Sequence, residues 1–233
     1  MNAIITGATK GIGRALVMHL AANNYNLALC ARNDNEVQNF VEELGARYPQ
    51  LKFYGQAVDI ENMEDVKAFA EFVLENMERI DVLINNAGLF IPSGLMAEEE
   101  TALERQMQVN VYAPHYLSKF FAKNMITFGK GHIINICSIA SLKPIVSSAS
   151  YSISKAALLS LTRILREELL TSGISVTAIL PGATMTNSWA GTDLPAERLI
   201  APDDIAKAVL TCLSMSPGAN VDEIIIRPQK GEI

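Results

Sequence analysis

The stretch TGATKGIG, residues 6–13, directly follows an apolar, strand-like run and opens a segment with helical periodicity. Its glycines, Gly7, Gly11 and Gly13, allow a tight turn and a close approach of the backbone to a ligand. Free N–H groups at the N-terminus of the following helix attract a phosphate group. The spacing is GxxxGxG, not the GxGxxG of the dinucleotide fingerprint, so a plain glycine-rich turn between a strand and a helix is an open alternative.

Apolar runs recur along the chain and alternate with segments of helical periodicity. Runs of strand type occupy residues 2–6, 26–31, 52–58, 81–85, 131–138, 174–180 and 223–228. Most are apolar throughout, which is typical of parallel strands covered by helices on both faces. We therefore predict an α/β fold, a doubly wound sheet of about seven mainly parallel strands flanked by helices. No linker or repeat interrupts residues 1–233, so a single domain is expected.

Composition argues against several classes of partner. The formal net charge is −6 and the 19 Lys and Arg residues are dispersed, which supports neither a nucleic-acid face nor a polybasic membrane patch. No apolar leader precedes the first strand-like run, and no apolar run is long enough to span a bilayer, so we expect a cytoplasmic protein. Cys30, Cys137 and Cys212 lie far apart in apolar surroundings, which favours buried thiols over metal ligands.

Residues just after the second and third strands bear on the choice of ligand, because ligands of open α/β sheets bind beyond the carboxyl ends of the strands. Arg32 stands where an NAD-preferring site places an acid for the ribose 2′-hydroxyl. A guanidinium there suits a 2′-phosphate, and Lys10 in the glycine turn adds a second positive charge. We therefore favour NADP as the ligand over the alternative that both residues are solvated surface charges. Asp59 could accept a hydrogen bond from an adenine amino group or cap the next helix.

The stretch SYSISKAAL, residues 150–158, places a phenol and an ammonium on one face of a helix, because Tyr151 and Lys155 are four residues apart. A free tyrosine, with a pKa of about 10, exchanges protons poorly near neutrality, and a neighbouring cation favours its ionised form. Ser138 ends the fifth strand and adds a hydroxyl at the same edge of the sheet. A buried tyrosine ring with a lysine that reaches water is the alternative.

Five motifs in this order resemble the short-chain dehydrogenase/reductase family. They are TGATKGIG, NNAG at 85–88, Ser138, YSISK at 151–155 and PG at 181–182, and their spacing matches along nearly the whole chain. The resemblance implies a Rossmann-type fold with NAD(P) across the carboxyl edge of the sheet. It implies a catalytic tetrad of Asn110, Ser138, Tyr151 and Lys155. The cofactor-binding residues that it implies are Gly7, Thr9, Lys10, Gly11, Ile12, Gly13, Arg32, Asp59, Ile60, Asn86, Ala87, Gly88, Tyr151, Lys155, Pro181, Gly182, Thr184 and Thr186.

The resemblance also implies roles for the tetrad in the NADPH-dependent, reversible reduction of a ketone or aldehyde. Tyr151, its pKa lowered by Lys155, would protonate the carbonyl oxygen, to which Ser138 would hydrogen-bond. Lys155 would also bind the nicotinamide ribose, and Asn110 would hold a water that passes protons onward. From the residues alone, Asn110 is equally well explained as a polar residue hydrogen-bonded in a helix kink.

Two other functions stay open: a 3-oxoacyl-acyl-carrier-protein reductase, and a catalytically silent NADP-binding regulator. The first is weakened because VDEIIIRPQKGEI, at the end of the chain, lacks a glycine-rich segment that many relatives carry. The intact tetrad argues against the second. Residues 183–200 predict a short lid over a small or medium apolar carbonyl compound, with Trp189 either touching substrate or packed on the body. Apolar helices at 98–127 and 150–172 predict, through the same resemblance, a homodimer or homotetramer.

Overall fold

A seven-stranded parallel sheet forms the centre of the computed structural model, which describes residues 1–186 and 195–231. The strands lie in the order β3-β2-β1-β4-β5-β6-β7, and every neighbouring pair is parallel. Their bounds are β1 (Asn2–Thr6), β2 (Asn26–Ala31), β3 (Phe53–Ala57), β4 (Val82–Asn85), β5 (Gly131–Ile136), β6 (Ile174–Pro181) and β7 (Glu223–Ile226). The predicted doubly wound sheet is confirmed.

Helices cover both faces of this sheet. They are α1 (Gly11–Ala22), α2 (Asp34–Arg47), α3 (Met63–Asn76), α4 (Ala102–Met107), α5 (Ala113–Thr127), α6 (Ala149–Leu169) and α7 (Pro202–Leu213). Apolar residues of α1, α2 and α7 share one core cluster, while those of α3, α5 and α6 share another on the opposite face. Within the described parts of the chain, no helix combines the length and apolar character that a membrane span requires.

Strand β1 shows why its run is apolar throughout. Ala3 and Ile5 pack into the cluster beneath α1, α2 and α7, and Ile4 between them packs into the opposite cluster. All three are fully buried. Because successive side chains of a strand point to opposite faces, a sheet covered on both sides demands apolar residues at every position. Burial of a side chain of the size of Ile5 stabilises the fold by about 1.5–3 kcal/mol.

The strand order reverses beside β1, which has β2 on one side and β4 on the other. In an open sheet this reversal leaves a crevice at the carboxyl ends of the strands. The loops after β1 and β4 meet there: Thr6 accepts through Oγ1 from the backbone N–H groups of Asn86 at 3.1 Å and Ala87 at 3.0 Å. The topology therefore brings the glycine turn and the NNAG motif together.

The predicted long helix at 98–127 begins later than expected, at Ala102, and changes geometry midway. Residues Gln108–Tyr112 form a π-helical turn between α4 and α5, and the backbone stays helical through both junctions. A π turn accommodates an extra residue in a helix and often marks a functional position. Asn110 lies within it.

Helices α2 and α3 each begin directly after a residue whose side chain caps the helix. Asn33 caps α2 and Asn62 caps α3, each accepting through its side chain from a backbone N–H two or three residues on. The suggestion that Asp59 caps the helix after β3 is therefore wrong, because its carboxylate accepts instead from Glu61 N at 3.0 Å within the preceding turn. Gly173 has φ +72° and follows a single 3₁₀ turn at the end of α6.

Candidate active site

A cleft of about 1120 Å³ runs along the carboxyl edge of the sheet. Three members of the predicted tetrad line it, namely Ser138, Tyr151 and Lys155, and Asn110 does not. The predicted cofactor-binding residues line it without exception: Gly7, Thr9, Lys10, Gly11, Ile12, Gly13, Arg32, Asp59, Ile60, Asn86, Ala87, Gly88, Tyr151, Lys155, Pro181, Gly182, Thr184 and Thr186. Residues from six interstrand loops and α6 thus converge on one cavity.

The glycine turn is closed by contacts that leave no room for side chains. Gly7 has φ +66° and Gly11 has φ +51°, a region that other residues rarely adopt. A Cβ at Gly13 would overlap the carbonyl oxygen of Gly7 and lie 2.7 Å from Asn86 Nδ2. Asn86 Nδ2 donates to the carbonyl oxygens of Thr6 at 2.9 Å and Gly7 at 3.0 Å. Asn86 therefore holds the shape of the turn, a role that the sequence did not indicate.

The N-terminus of α1 opens into the cleft without a side-chain cap. Its N-cap, Lys10, makes no capping hydrogen bond through its side chain, and the first turn contains no acidic residue. Gly11, Ile12 and Gly13 of this first turn line the cleft. Uncapped N–H groups and the positive end of the helix dipole favour a phosphate at such a position.

At the other end of the cleft, α6 carries a phenol and an ammonium side by side. Tyr151 packs edge-on against Phe90, with ring centroids 4.9 Å apart, and its hydroxyl hydrogen-bonds to Ser138. Lys155 Nζ lies 5.9 Å from the centre of the Tyr151 ring and donates to the carbonyl oxygen of Ile136 at 2.9 Å. Because Lys155 is 4% exposed, the alternative of a lysine that reaches water is wrong.

Ser138 is presented by a short 3₁₀ turn, Ile139–Ser141, that follows β5. Its Oγ accepts from Ala140 N at 3.1 Å, and Ser141 Oγ accepts from Ser138 N at 3.3 Å. This reciprocal capping box fixes the Ser138 side chain at the C-terminal end of the strand. Its hydroxyl lies at the cleft, where it hydrogen-bonds to the Tyr151 hydroxyl.

Asn110 lies fully buried behind the cleft and ties the loop after β4 to the π turn. Its Nδ2 donates to Leu89 O and to Ser154 Oγ, both at 2.9 Å, and its Oδ1 accepts from Leu89 N at 2.8 Å. A Cβ at Gly88 would lie 3.5 Å from Asn110 Oδ1 and 3.6 Å from Lys155 Nζ. Asn110 and Lys155 therefore both approach Gly88, and the two amide hydrogens of Asn110 are both used within the protein.

Comparison with known proteins agrees with this arrangement. The family model described as short chain dehydrogenase matches residues 1–195. The chain belongs to the short-chain dehydrogenase family. A relative within it, an uncharacterized oxidoreductase of Staphylococcus saprophyticus, is 32% identical over 97% of this chain and 96% of its own length.

Two solved structures resemble this short-chain dehydrogenase over nearly its whole length. An alcohol dehydrogenase from the archaeon Thermococcus sibiricus, complexed with 5-hydroxy-NADP, superposes with a TM-score of 0.92 at 28% identity, covering 100% of this chain and 98% of that one. A metagenomic short-chain oxidoreductase in complex with NADP gives a TM-score of 0.85 at 30% identity, covering 98% and 97%. The family and these relatives make the chain an oxidoreductase.

Burial dominates the acid–base chemistry of the pair on α6. It raises the pKa of Tyr151 to about 12, and the hydrogen bond from Ser138 offsets only part of this rise. Burial also lowers the pKa of Lys155 to about 8. In the protein alone the pKa of Tyr151 is thus raised, because loss of solvent outweighs the lowering by the hydrogen bond from Ser138.

The predicted phosphate-binding cations of this short-chain dehydrogenase lie near carboxylates. Lys10 Nζ pairs with Glu36 Oε1 at 2.7 Å, whereas within the described residues Arg32 makes neither a hydrogen bond nor an ion pair. Hydrogen bonding to Arg105 is the largest cause that lowers the pKa of Glu61, and the charge of Arg32 contributes to the same shift. Arg32 is thus exposed at the edge of the cleft and available to an anionic ligand.

Several residues of the cleft were not anticipated from the sequence. They include Glu36, Leu89, Phe90, Ile139, Lys143 and Ile145. Most lie on the loops after β4 and β5, directly beyond the NNAG motif and Ser138. Their position in the sequence, just after a predicted strand, could have indicated that they reach the cleft. Of the predicted lid at 183–200, residues 187–194 lie outside the described residues, and Trp189 is among them.

Proposed function

We propose that this short-chain dehydrogenase is an NADPH-dependent carbonyl reductase, which interconverts a ketone or aldehyde and the alcohol reversibly. The observation that carries the proposal is one continuous cleft with an uncapped helix N-terminus at one end and Ser138, Tyr151 and Lys155 at the other. The NADP and the 5-hydroxy-NADP that are bound to two similar solved proteins support it. The glycine turn and α1 would hold the pyrophosphate, with Lys10 and Arg32 at the 2′-phosphate.

When bound, the nicotinamide would supply the hydride. The chain's own residues would handle the proton and the substrate oxygen. Tyr151, with its pKa at about 12, holds its proton at neutral pH, which is the form that reduction requires of a proton donor. Ser138 would donate to the same substrate oxygen as negative charge develops there. Lys155 would keep a positive charge at the floor of the cleft, next to the Tyr151 ring, and contact the nicotinamide ribose.

The substrate end of the cleft is mainly apolar. Leu89, Phe90, Ile139 and Ile145 line the cleft, and the Phe90 ring packs against the Tyr151 ring. Apolar walls around a few convergent polar groups suit a small organic carbonyl compound, oriented by its oxygen and excluded from water along its body. We therefore propose a small or medium apolar ketone or aldehyde as the substrate class.

The test is to follow oxidation of NADPH and of NADH across a panel of aldehydes, ketones, dicarbonyl compounds and an acyl thioester. We expect turnover with free carbonyl compounds and a higher kcat/KM for NADPH, because Lys10 and Arg32 suit its extra phosphate. A preference for NADH would show that the roles given to Lys10 and Arg32 are wrong. Turnover of the thioester alone would favour the acyl-carrier-protein reductase, and tight nucleotide binding without turnover would favour the silent regulator.

We further propose that two or four copies of the chain associate through α5 and α6. Large apolar side chains on these helices face solvent: Ile126, Ile153 and Ile164 are 48%, 45% and 57% exposed. Large exposed apolar side chains on surface helices are typical of an interface between subunits. Light scattering after size exclusion should give a multiple of 25.3 kDa, and a particle of that mass alone would exclude the oligomer.

A further inference from the structure

We propose that Glu36 is a specificity-determining residue, whose carboxylate opposes binding of a 2′-phosphate and so limits the preference for NADPH over NADH. This inference rests on the proposed function, since it concerns the same nucleotide. It accounts for an acid at a place where the chain otherwise presents two cations, Lys10 and Arg32, to the cleft.

Glu36 is held at the edge of the cleft by the start of α2. Its backbone N–H donates to the capping side chain of Asn33 at 3.1 Å, which fixes the position of its Cα in the first helical turn. From there the carboxylate reaches back to the glycine turn. Oε1 accepts from Lys10 Nζ at 2.7 Å, and Oε2 accepts from Thr9 Oγ1 at 3.3 Å. Both oxygens thus lie at the turn that would hold the phosphates.

The ion pair itself is easily broken, but the negative charge stays in place. The side chains of Lys10 and Glu36 are 57% and 36% exposed, and exposed pairs of this kind contribute little to stability. A phosphate that drew Lys10 away from Glu36 would therefore cost the protein little stability. It would still face the carboxylate of Glu36, which is ionised at neutral pH.

Other charges at this end of the cleft do not remove the conflict. Glu61 is neutralised by Arg105, with oxygens 2.7 and 3.3 Å from the guanidinium nitrogens. The two remaining carboxylates, of Glu36 and Asp59, balance the two cations, Lys10 and Arg32, so this end of the cleft carries no net positive charge. A ribose phosphate monoester is close to doubly negative at neutral pH and would be repelled by Glu36, whereas ribose hydroxyls would find in it a hydrogen-bond acceptor.

The test is a titration of the full-length protein and its variants with NADPH and with NADH, followed by nucleotide fluorescence or calorimetry. We expect Glu36→Gln to tighten NADPH binding by about 3- to 10-fold at low salt, to leave NADH binding within about twofold, and to lose most of this gain at high salt. Arg32→Ala serves as the reference of opposite sign, with weaker binding of NADPH.

Glu42→Gln is the matched control, because Glu42 is exposed on the same helix and lines no pocket with Lys10 or Glu36. Its two affinities should equal those of the wild type. If the ratio of the NADPH affinity to the NADH affinity is the same in Glu36→Gln as in the wild type, the inference is overturned. Weaker NADPH binding in that variant also overturns it, since Glu36 would then be orienting Lys10 for the phosphate. Wild-type protein that binds neither nucleotide would instead refute the proposed function.

Discussion

Tyr151→Phe is expected to lower kcat by about 10²- to 10⁴-fold, the usual contribution of a positioned acid or base. The substitution removes the hydroxyl that hydrogen-bonds to Ser138 and keeps the ring that packs edge-on against Phe90. Binding of NADPH should therefore stay within a few-fold of the wild-type value. Steady-state kinetics with the best carbonyl compound of the panel, together with a nucleotide titration, measure both quantities.

Tyr54→Phe is the matched control, because Tyr54 lies on β3 and does not line the cleft. Its turnover should equal that of the wild type. If Tyr151→Phe turned over at the wild-type rate, Tyr151 would not be the proton donor, and a solvent or Ser138 proton would have to replace it. A large loss of nucleotide binding in the same variant would point to a damaged cleft.

Lys155→Met is expected to abolish turnover and at the same time to raise the free energy of unfolding at neutral pH. Lowering of the Lys155 pKa from 10.5 to about 8 corresponds to roughly 3 kcal/mol against the buried charged form. Loss of the hydrogen bond to the carbonyl oxygen of Ile136 destabilises the variant by about 1 kcal/mol and offsets part of this gain. The net gain of about 2 kcal/mol should raise Tm by several degrees, as is common when a functional residue that destabilises the fold is replaced.

The pH dependence of this gain has a definite sign. Burial lowers the pKa of Lys155 in the folded state, so the unfolded chain binds the proton more tightly. Below about pH 8 both states carry the proton and the unfavourable burial is fully present; between about pH 8 and 10.5 the folded state loses it first. The stability difference between Lys155→Met and the wild type should therefore shrink across this window.

Chemical denaturation at several pH values measures that difference, and subtraction cancels the contributions of the buried thiols. Lys130→Met is the control, because Lys130 is exposed in the loop before β5 and should show neither a gain nor a pH-dependent difference. A destabilised Lys155→Met variant would mean that the ammonium stabilises the fold. Retained turnover would exclude Lys155 from the mechanism.

Much of the site could be predicted because it follows directly from the ends of strands. Gly7, Ser138 and the NNAG motif each come just after a buried apolar run, and parallel strands bring their carboxyl ends to one edge. Tyr151 and Lys155 share a helix face by spacing alone. Residues that reach the cleft only through the packing of a neighbouring loop, such as Lys143 and Phe90, carried no comparable signal.

By itself, the sequence determined the order of strands and helices, the glycine turn and which side chains meet at the mouth of the sheet, because these depend on local periodicity and on parallel topology. Only the tertiary structure decided how those groups are charged and paired. The pairing of Lys10 with Glu36 spans 26 positions, and the hydrogen bond of Lys155 to Ile136 spans 19. Burial and electrostatic interaction depend on such neighbours in space, which no local pattern contains.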